Sequence, residues 1–493
     1  MNNIPNLKQG IVAVSRDCFP VELSRKRRNA VVSSCEGKGI PVIEVETIVE
    51  NENDVIRALK EIEEKEINSL VVYLGNFGPE GPTTLLAQKF NGPVMFAAAA
   101  EESGHDLVQG RGDAFCGLLS VSYNLGLRNL HPYIPEHPVG TACGVAGMIE
   151  DFSAISRIQL GLAGLKIFSF GPRPYDFLAC NAPIKPLFDL GVEIMENSEL
   201  DLYDIYLSAE GDPRIEDVAG EMAAELGEGD RYPDLLKKLA RYEIALMQFM
   251  DDNLGASEFG IFANKCWPSF EKYFGFVPCY VNSRLASRNI PVSCEVDIYG
   301  TLSEYIIACA SQVPPTLLDI NNTVPEDMYA EAGSASKEYR RNELFMGFHC
   351  GNTPSSCMTD CSMRYQLIMH RLLEPDVDPD ITRGTLEGRI RPGEVTLFRL
   401  HSGADTHLQS YMAEGEILDI DPKSFGSIGV FAVPELDRFY RHVLIEKRFP
   451  HHAGVGFAHI GKPLFEAMKL LGVNDISYNQ PKERPYQTEN PFT

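Results

Sequence analysis

The sequence predicts an α/β protein in three parts: two α/β units in series, then a mostly antiparallel β region closed by a helix. The first hundred residues alternate β-rich apolar runs with amphipathic stretches, and the same alternation restarts near Leu165. After about residue 345 the pattern turns into short alternating runs separated by turn residues. A chain of 493 residues is long enough for about three domains, each burying a core of its own.

Taken in order, Gly10–Ser15 reads as the opening strand because its apolar residues are uninterrupted and rich in Ile and Val. A basic helix-like stretch follows, then Pro41–Glu46, an amphipathic helix over Glu52–Lys65, and strands over Ser69–Gly75 and Pro93–Ala100. Strand, helix, strand at this spacing means a parallel sheet. The second unit begins with Lys166–Phe170 and continues through Tyr242–Met250, Phe259–Ala263 and Pro291–Ile298. A helix is expected over Thr301–Gln312 and a short strand over Thr316–Asp319. Further on, Gly393–Leu400, Gly415–Ile420 and Gly426–Val433 read as antiparallel strands and Ile460–Leu471 as the closing helix. The polar, proline-containing tail Gln480–Thr493 is expected to be an extended arm. These readings place domains at 1–164, 165–310 and 311–493.

Asp and Glu outnumber Lys and Arg by 69 to 44, a formal charge of −25. Such a surface repels phosphate backbones and anionic lipid, so neither nucleic acid nor a membrane is expected as partner. No apolar run approaches the ~20 residues that a membrane-crossing helix needs, and the first ten residues lack a basic stretch followed by an apolar core, so a cytoplasmic location is expected. The 12 cysteines are scattered, most of them inside apolar runs, and are expected to be reduced.

An α/β N-terminus invites a dinucleotide, but the opening strand runs into Arg16, Asp17 and Cys18 with no glycine-rich turn to admit a pyrophosphate. Gly456, Gly461 and Lys462 have the spacing of a phosphate loop, yet Pro463 replaces the hydroxyl residue that would hold magnesium. No nucleotide cofactor is expected.

The strongest local signal is PVSCEVDIYG at Pro291–Gly300. A strand period of two would put Glu295, Asp297 and Tyr299 on one face. A right-handed crossover through the next helix would then bring Asp319, at the end of its strand, beside Glu295. Capping helices or pairing with Arg is the ordinary use of such acids. Three of them after apolar strands within 25 residues are harder to explain that way, because crowded carboxylates repel unless a cation keeps them ionised. Imidazole donors suited to a first-row transition metal lie in FPHHAGVGFAHIGK, with His451 and His452, and in GFHCGN, with His349. Glycines around His452 are expected to let the backbone approach a ligand. A zinc site of His349 with Cys350, Cys357 and Cys361 is weakened by their irregular spacing.

These motifs resemble the L-fucose isomerase and L-arabinose isomerase superfamily of aldose–ketose isomerases. The resemblance implies two Rossmann-like α/β domains followed by a C-terminal domain with an antiparallel β-barrel and helices. It also implies Mn2+, or another divalent ion, held by Glu295, Asp319 and His452. Glu295 and Asp319 would serve as acid and base on a cis-enediol path that moves a proton between C2 and C1. MGFHCG at 346–351 looks like the arabinose branch, so His349 is either a fourth ligand or a substrate contact. Arg16, Asn76 and His451 are expected as further substrate contacts. Family members of this type form hexamers in which the first domain of one chain covers the site of another. The tryptophan expected before Phe77 and Gly78 is absent, since the only Trp is Trp267. The sugar is therefore left open among an L-fucose or D-arabinose-like aldose and a C6-modified hexose such as a 6-sulfo sugar. Two rivals remain: a non-catalytic sugar-binding or regulatory homologue, and a metal-dependent hydrolase using the same acids on water.

Overall fold

The computed structural model describes residues 3–108, 110–333, 338–490 and 492. They form two compact units, one over Pro5–Leu160 and the other from Gly161 onward with Asn3 and Ile4 joined to it. The chain is mixed α/β, with two parallel sheets and one large mixed sheet.

The first unit holds a five-stranded parallel sheet of β1 (Gln9–Val14), β2 (Ile43–Glu44), β3 (Ser69–Leu74), β4 (Val94–Ala99) and β5 (Val139–Gly140), in the order β2-β1-β3-β4-β5. Every residue of β1, β3 and β4 is buried, which is why these strands read as continuous apolar runs rather than alternating ones. The helix Glu52–Glu64 starts at Asn51, whose side chain accepts from the Asp54 amide while Asp54 bonds back to the Asn51 amide.

In the second unit, β6 (Leu165–Phe170), β7 (Glu193–Asn197), β8 (Phe259–Ala263) and β9 (Val292–Ser293) form a parallel sheet in the order β7-β6-β8-β9. Nine strands make the mixed sheet: β10 (Thr316–Thr323), β11 (Leu344–His349), β12 (Met358–Tyr365), β13 (Arg383–Ile390), β14 (Gly393–Ser402), β15 (Leu408–Leu418), β16 (Ser427–Ala432), β17 (His452–Gly456) and β18 (Asp475–Tyr478). Within it the antiparallel order β16-β11-β10-β17-β14-β15 returns on itself, because β15 also pairs with β16.

Three expectations are corrected. The strand over Pro291–Gly300 ends at Ser293: Glu295 and Val296 turn at φ 53° and 56°, and the helix Ile298–Ser311 begins at once. Left-handed backbone at a β-branched residue costs of order 1–3 kcal/mol and persists only where its surroundings enforce it. Here the Val296 amide donates to the Asn264 carbonyl at 2.8 Å. Second, β10 does not return beside β9 by a crossover but lies in the mixed sheet, with Asp319 in mid-strand. Third, the tail is fastened rather than extended. Tyr486 is buried with its hydroxyl donating to the Tyr478 carbonyl at 3.0 Å, and Glu489 pairs with Arg438 at 2.6 Å.

Candidate active site

Three elements of the second unit converge on one imidazole. In the antiparallel pair β10–β17, Asp319 stands directly opposite His452, so their side chains project from the same face at neighbouring positions. The turn after β9 brings Glu295 to the same place. Asp319 Oδ1 and Glu295 Oε2 lie 3.4 and 3.3 Å from His452 Nε2. Both oxygens are buried and neither accepts a hydrogen bond. His349, at the end of β11, brings Nε2 to 3.9 Å from Glu295 Oε2, and His451 brings Nε2 to 3.7 Å from Asp319 Oδ1.

The opposite side of the His452 ring is fixed. Nδ1 donates to Asp297 Oδ2 at 2.8 Å. Asp297 in turn takes Arg399 in a fork, Nη1 to Oδ2 at 2.7 Å and Nη2 to Oδ1 at 2.8 Å, and caps the helix Ile298–Ser311 through the Gly300 amide. Arg399, Asp297 and His452 are all fully buried. With its proton on Nδ1, neutral His452 presents a lone pair on Nε2 to the two unpartnered carboxylate oxygens. His349 has the reverse arrangement. Its Nδ1 accepts from the Cys350 amide at 2.9 Å, which places the proton of the neutral ring on Nε2, the nitrogen facing Glu295.

Electrostatics follow the same layout. Burial opposes ionisation of Glu295, but the imidazoles of His452, His349 and His451 outweigh it and hold its carboxyl at about 2. Burial likewise opposes the charge on Asp297, and Arg399 and His452 hold it well below the usual carboxylate range. Burial works against a charged His452, yet Asp297 above all pushes its pKa up. The Cys180 thiol, 3.6 Å from Nδ1, is pushed up to about 11 by burial and stays protonated. A divalent cation at Nε2 would satisfy the same two carboxylates that a second proton on His452 satisfies, and the oxygen, oxygen and imidazole donors suit a first-row ion. Asp319, His451 and His452 offer donor atoms close enough together to hold such an ion, and so do Cys294, Glu295 and His349, so the residues around His452 Nε2 fit one.

Arg16 and Asn76 belong to the first unit. The Asn76 amide is committed to the neighbouring loop after β1, accepting from the Arg16 amide at 3.0 Å and donating to Ser15 Oγ at 2.8 Å. The Arg16 guanidinium lies over the Phe77 ring, 4.8 Å from its centre. Sequence reasoning missed Arg399 and Cys180, which reach the cluster from β14 and from the loop after β6. Nothing local marks either one.

Residues 10–163 match the family described as fucose/sulfoquinovose isomerase, N-terminal domain, and residues 347–478 match L-fucose isomerase, C-terminal domain. The chain belongs to the L-fucose isomerase family. Within that family it is similar to the sulfoquinovose isomerase of Alkalicoccus urumqiensis, at 23% identity over 354 residues, covering 70% of this chain and 72% of that protein. It is similar to the sulfoquinovose isomerase of Priestia aryabhattai at 22% over 475 residues, or 95% and 98% of the two chains. A third, from Clostridium sp. (strain MSTE9), is 26% identical over 196 residues, 39% of this chain and 38% of that one. His349, His451 and His452 fall inside the matched C-terminal segment and Arg16 and Asn76 inside the N-terminal one, while Glu295 and Asp319 lie between the two.

Proposed function

We propose that the chain is an aldose–ketose isomerase that acts on a 6-sulfo aldose with a divalent ion, Mn2+ first among candidates, at Glu295, Asp319 and His452. The observation that carries this is the pair of buried, unpartnered carboxylate oxygens facing one imidazole nitrogen. The sulfonated substrate is supported by the sulfoquinovose isomerases to which the chain is similar over most of its length.

Isomerisation moves one proton between C2 and C1 and one between the two oxygens. When bound, the ion supplies Lewis-acid polarisation of the substrate carbonyl. The chain's own residues do the rest. One of the two carboxylates, Glu295 or Asp319, takes the proton from C2 to give the cis-enediol and returns it to C1, a role typically worth ~10²–10⁴-fold in rate. His349, with its proton on Nε2, donates to a substrate oxygen, and Asp297 keeps His452 in register. His451, beside Asp319, contacts the sugar. A non-catalytic sugar-binding homologue would bind without turnover and leave the carboxylate cluster without a use.

The finer architecture is part of the same reading. We take the six strands that close on themselves as the β-barrel, the boundaries 1–164, 165–310 and 311–493 as its domain limits, and a hexamer in which a neighbouring chain's first domain supplies Arg16. One assay series tests the whole: 6-deoxy-6-sulfoglucose, L-fucose and D-arabinose with Mn2+, with particle mass from light scattering. Turnover lost to EDTA and regained with Mn2+ is expected. Full turnover after chelation, or an active monomer, contradicts the corresponding part.

A further inference from the structure

Beside the carboxylate cluster lies a cavity of about 520 Å3. His451 and Ile320 line it. His451 Nε2 lies 3.7 Å from Asp319 Oδ1, so one end of the cavity abuts the proposed reacting centre. Its other walls are largely apolar, from Leu178, Leu444 and Phe449. Among the described residues no carboxylate lines it, although the chain carries 69 acidic residues, and Arg448 is the only Lys or Arg in its wall.

Arg448 is unusual among its neighbours. On the same segment Arg438 pairs with Glu489, Arg441 with Glu446 and Lys447 with Asp475. In a chain with so large an acidic excess, such pairing is the expected fate of a surface cation. Arg448 has no ion-pair partner among the described residues, and its backbone turns at φ 61° just before the chain enters β17. A left-handed conformation at a non-glycine residue costs free energy that an alternative sequence would avoid. A guanidinium kept free of carboxylates at the rim of an apolar cavity is a receptor for an anion carried on a carbon skeleton, since its fork matches two oxygens of a sulfonate or phosphate.

We propose that Arg448 binds the anionic group at the end of the sugar remote from C1 and C2, a sulfonate or a phosphate on C6, and so sets substrate selectivity. This rests on the isomerase reading above and adds to it the residue that recognises the charge. Arg448 carried no sequence signal, because a lone Arg beside the HH pair looks like any solvated cation.

The test compares the full-length wild type with Arg448→Met and Arg448→Lys, all loaded with Mn2+, on 6-deoxy-6-sulfoglucose, glucose 6-phosphate and glucose. In Arg448→Met the ratio of kcat/KM for the anionic sugar over glucose should fall on the order of 10- to 100-fold, mainly through KM, as expected for loss of a charge-assisted hydrogen bond. Lys should keep part of the preference. Whichever anionic sugar loses the advantage identifies the group that is bound. An unchanged ratio in Arg448→Met overturns the proposal, and so does a wild type that prefers glucose, although the isomerase reading then stands. If no sugar is turned over, the isomerase reading fails, and calorimetric titration of 6-deoxy-6-sulfoglucose into wild type and Arg448→Met decides the subsite. Binding weakened by a comparable factor supports it; equal binding, or none to the wild type, refutes it.

Discussion

At Asp297 three groups meet: the Arg399 fork, the Gly300 amide at the start of the helix that follows, and the Nδ1 proton of His452. Asp297 Oδ1 accepts from Arg399 Nη2 and the Gly300 amide, and Oδ2 from Arg399 Nη1 and His452 Nδ1, so an Asn at 297 that keeps its oxygen at the Oδ1 position turns its NH2 toward His452 and gives up one arm of the Arg399 fork. The ring would then carry its proton on Nε2 and lose the lone pair that faces Glu295 and Asp319. Asp297→Asn is accordingly expected to weaken Mn2+ binding by roughly 10- to 100-fold, read by calorimetry on the purified protein. Affinity within a factor of two of the wild type would mean that something else sets the tautomer. The sequence marked the acids and the histidines but not their roles. Period-two reasoning put Asp297 on the same face as Glu295, whereas the left-handed turn at Glu295 and Val296 brings them to opposite nitrogens of His452.

Among the elements, β17 lies unusually close to the helix Ile298–Ser311, and two glycines make that possible. A Cβ at Gly454 would sit 2.9 Å from Ile307 Cδ1 and 3.1 Å from the Phe398 carbonyl, and one at Gly456 would sit 2.8 Å from Ile307 Cγ2. These glycines admit a helix rather than a ligand, which corrects their reading from sequence. The close approach brings His452 within reach of Asp297. Gly454→Ala is expected to cost about 1–3 kcal/mol of stability by overpacking and to lower the thermal midpoint, together with Mn2+ affinity. The same helix buries Glu304, whose carboxyl accepts from Ser293 Oγ at 2.7 Å and is pushed up to about 8 by burial. Because the folded pKa lies above the unfolded value of 4.5, the folded state holds the extra proton between those limits, and stability falls as pH rises through that window. Glu304→Gln should flatten the fall between pH 5.5 and 8 in denaturant titrations, and an identical slope in the variant would assign the dependence elsewhere. The parallel strands were legible because burial on both faces makes them continuous apolar runs. The helix–strand contact was not, because it depends on the absence of side chains at two positions far from the helix in sequence.

For the whole molecule, two parallel sheets and a mixed sheet carrying the cluster are built by a chain of formal charge −25. No helix among the described residues is long and apolar enough to cross a membrane. The order of the two parallel sheets and the mixed sheet could be read from the pattern of strands and helices, since each sheet type imposes its own periodicity. The pairing of Asp319 with His452 could not, because antiparallel register between β10 and β17 is set by contacts across more than a hundred intervening residues. In the isomerase reading one of the two carboxylates, Glu295 or Asp319, carries the proton from C2 to C1. The most direct measurement runs the Mn2+-loaded protein on 6-deoxy-6-sulfoglucose in D2O and reads C1 and C2 by NMR. Ketose product with solvent deuterium at C1 is expected, and loss of both product and exchange in Glu295→Gln. Ketose formed with no solvent deuterium, or formed at the wild-type rate by Glu295→Gln, would contradict this proton transfer.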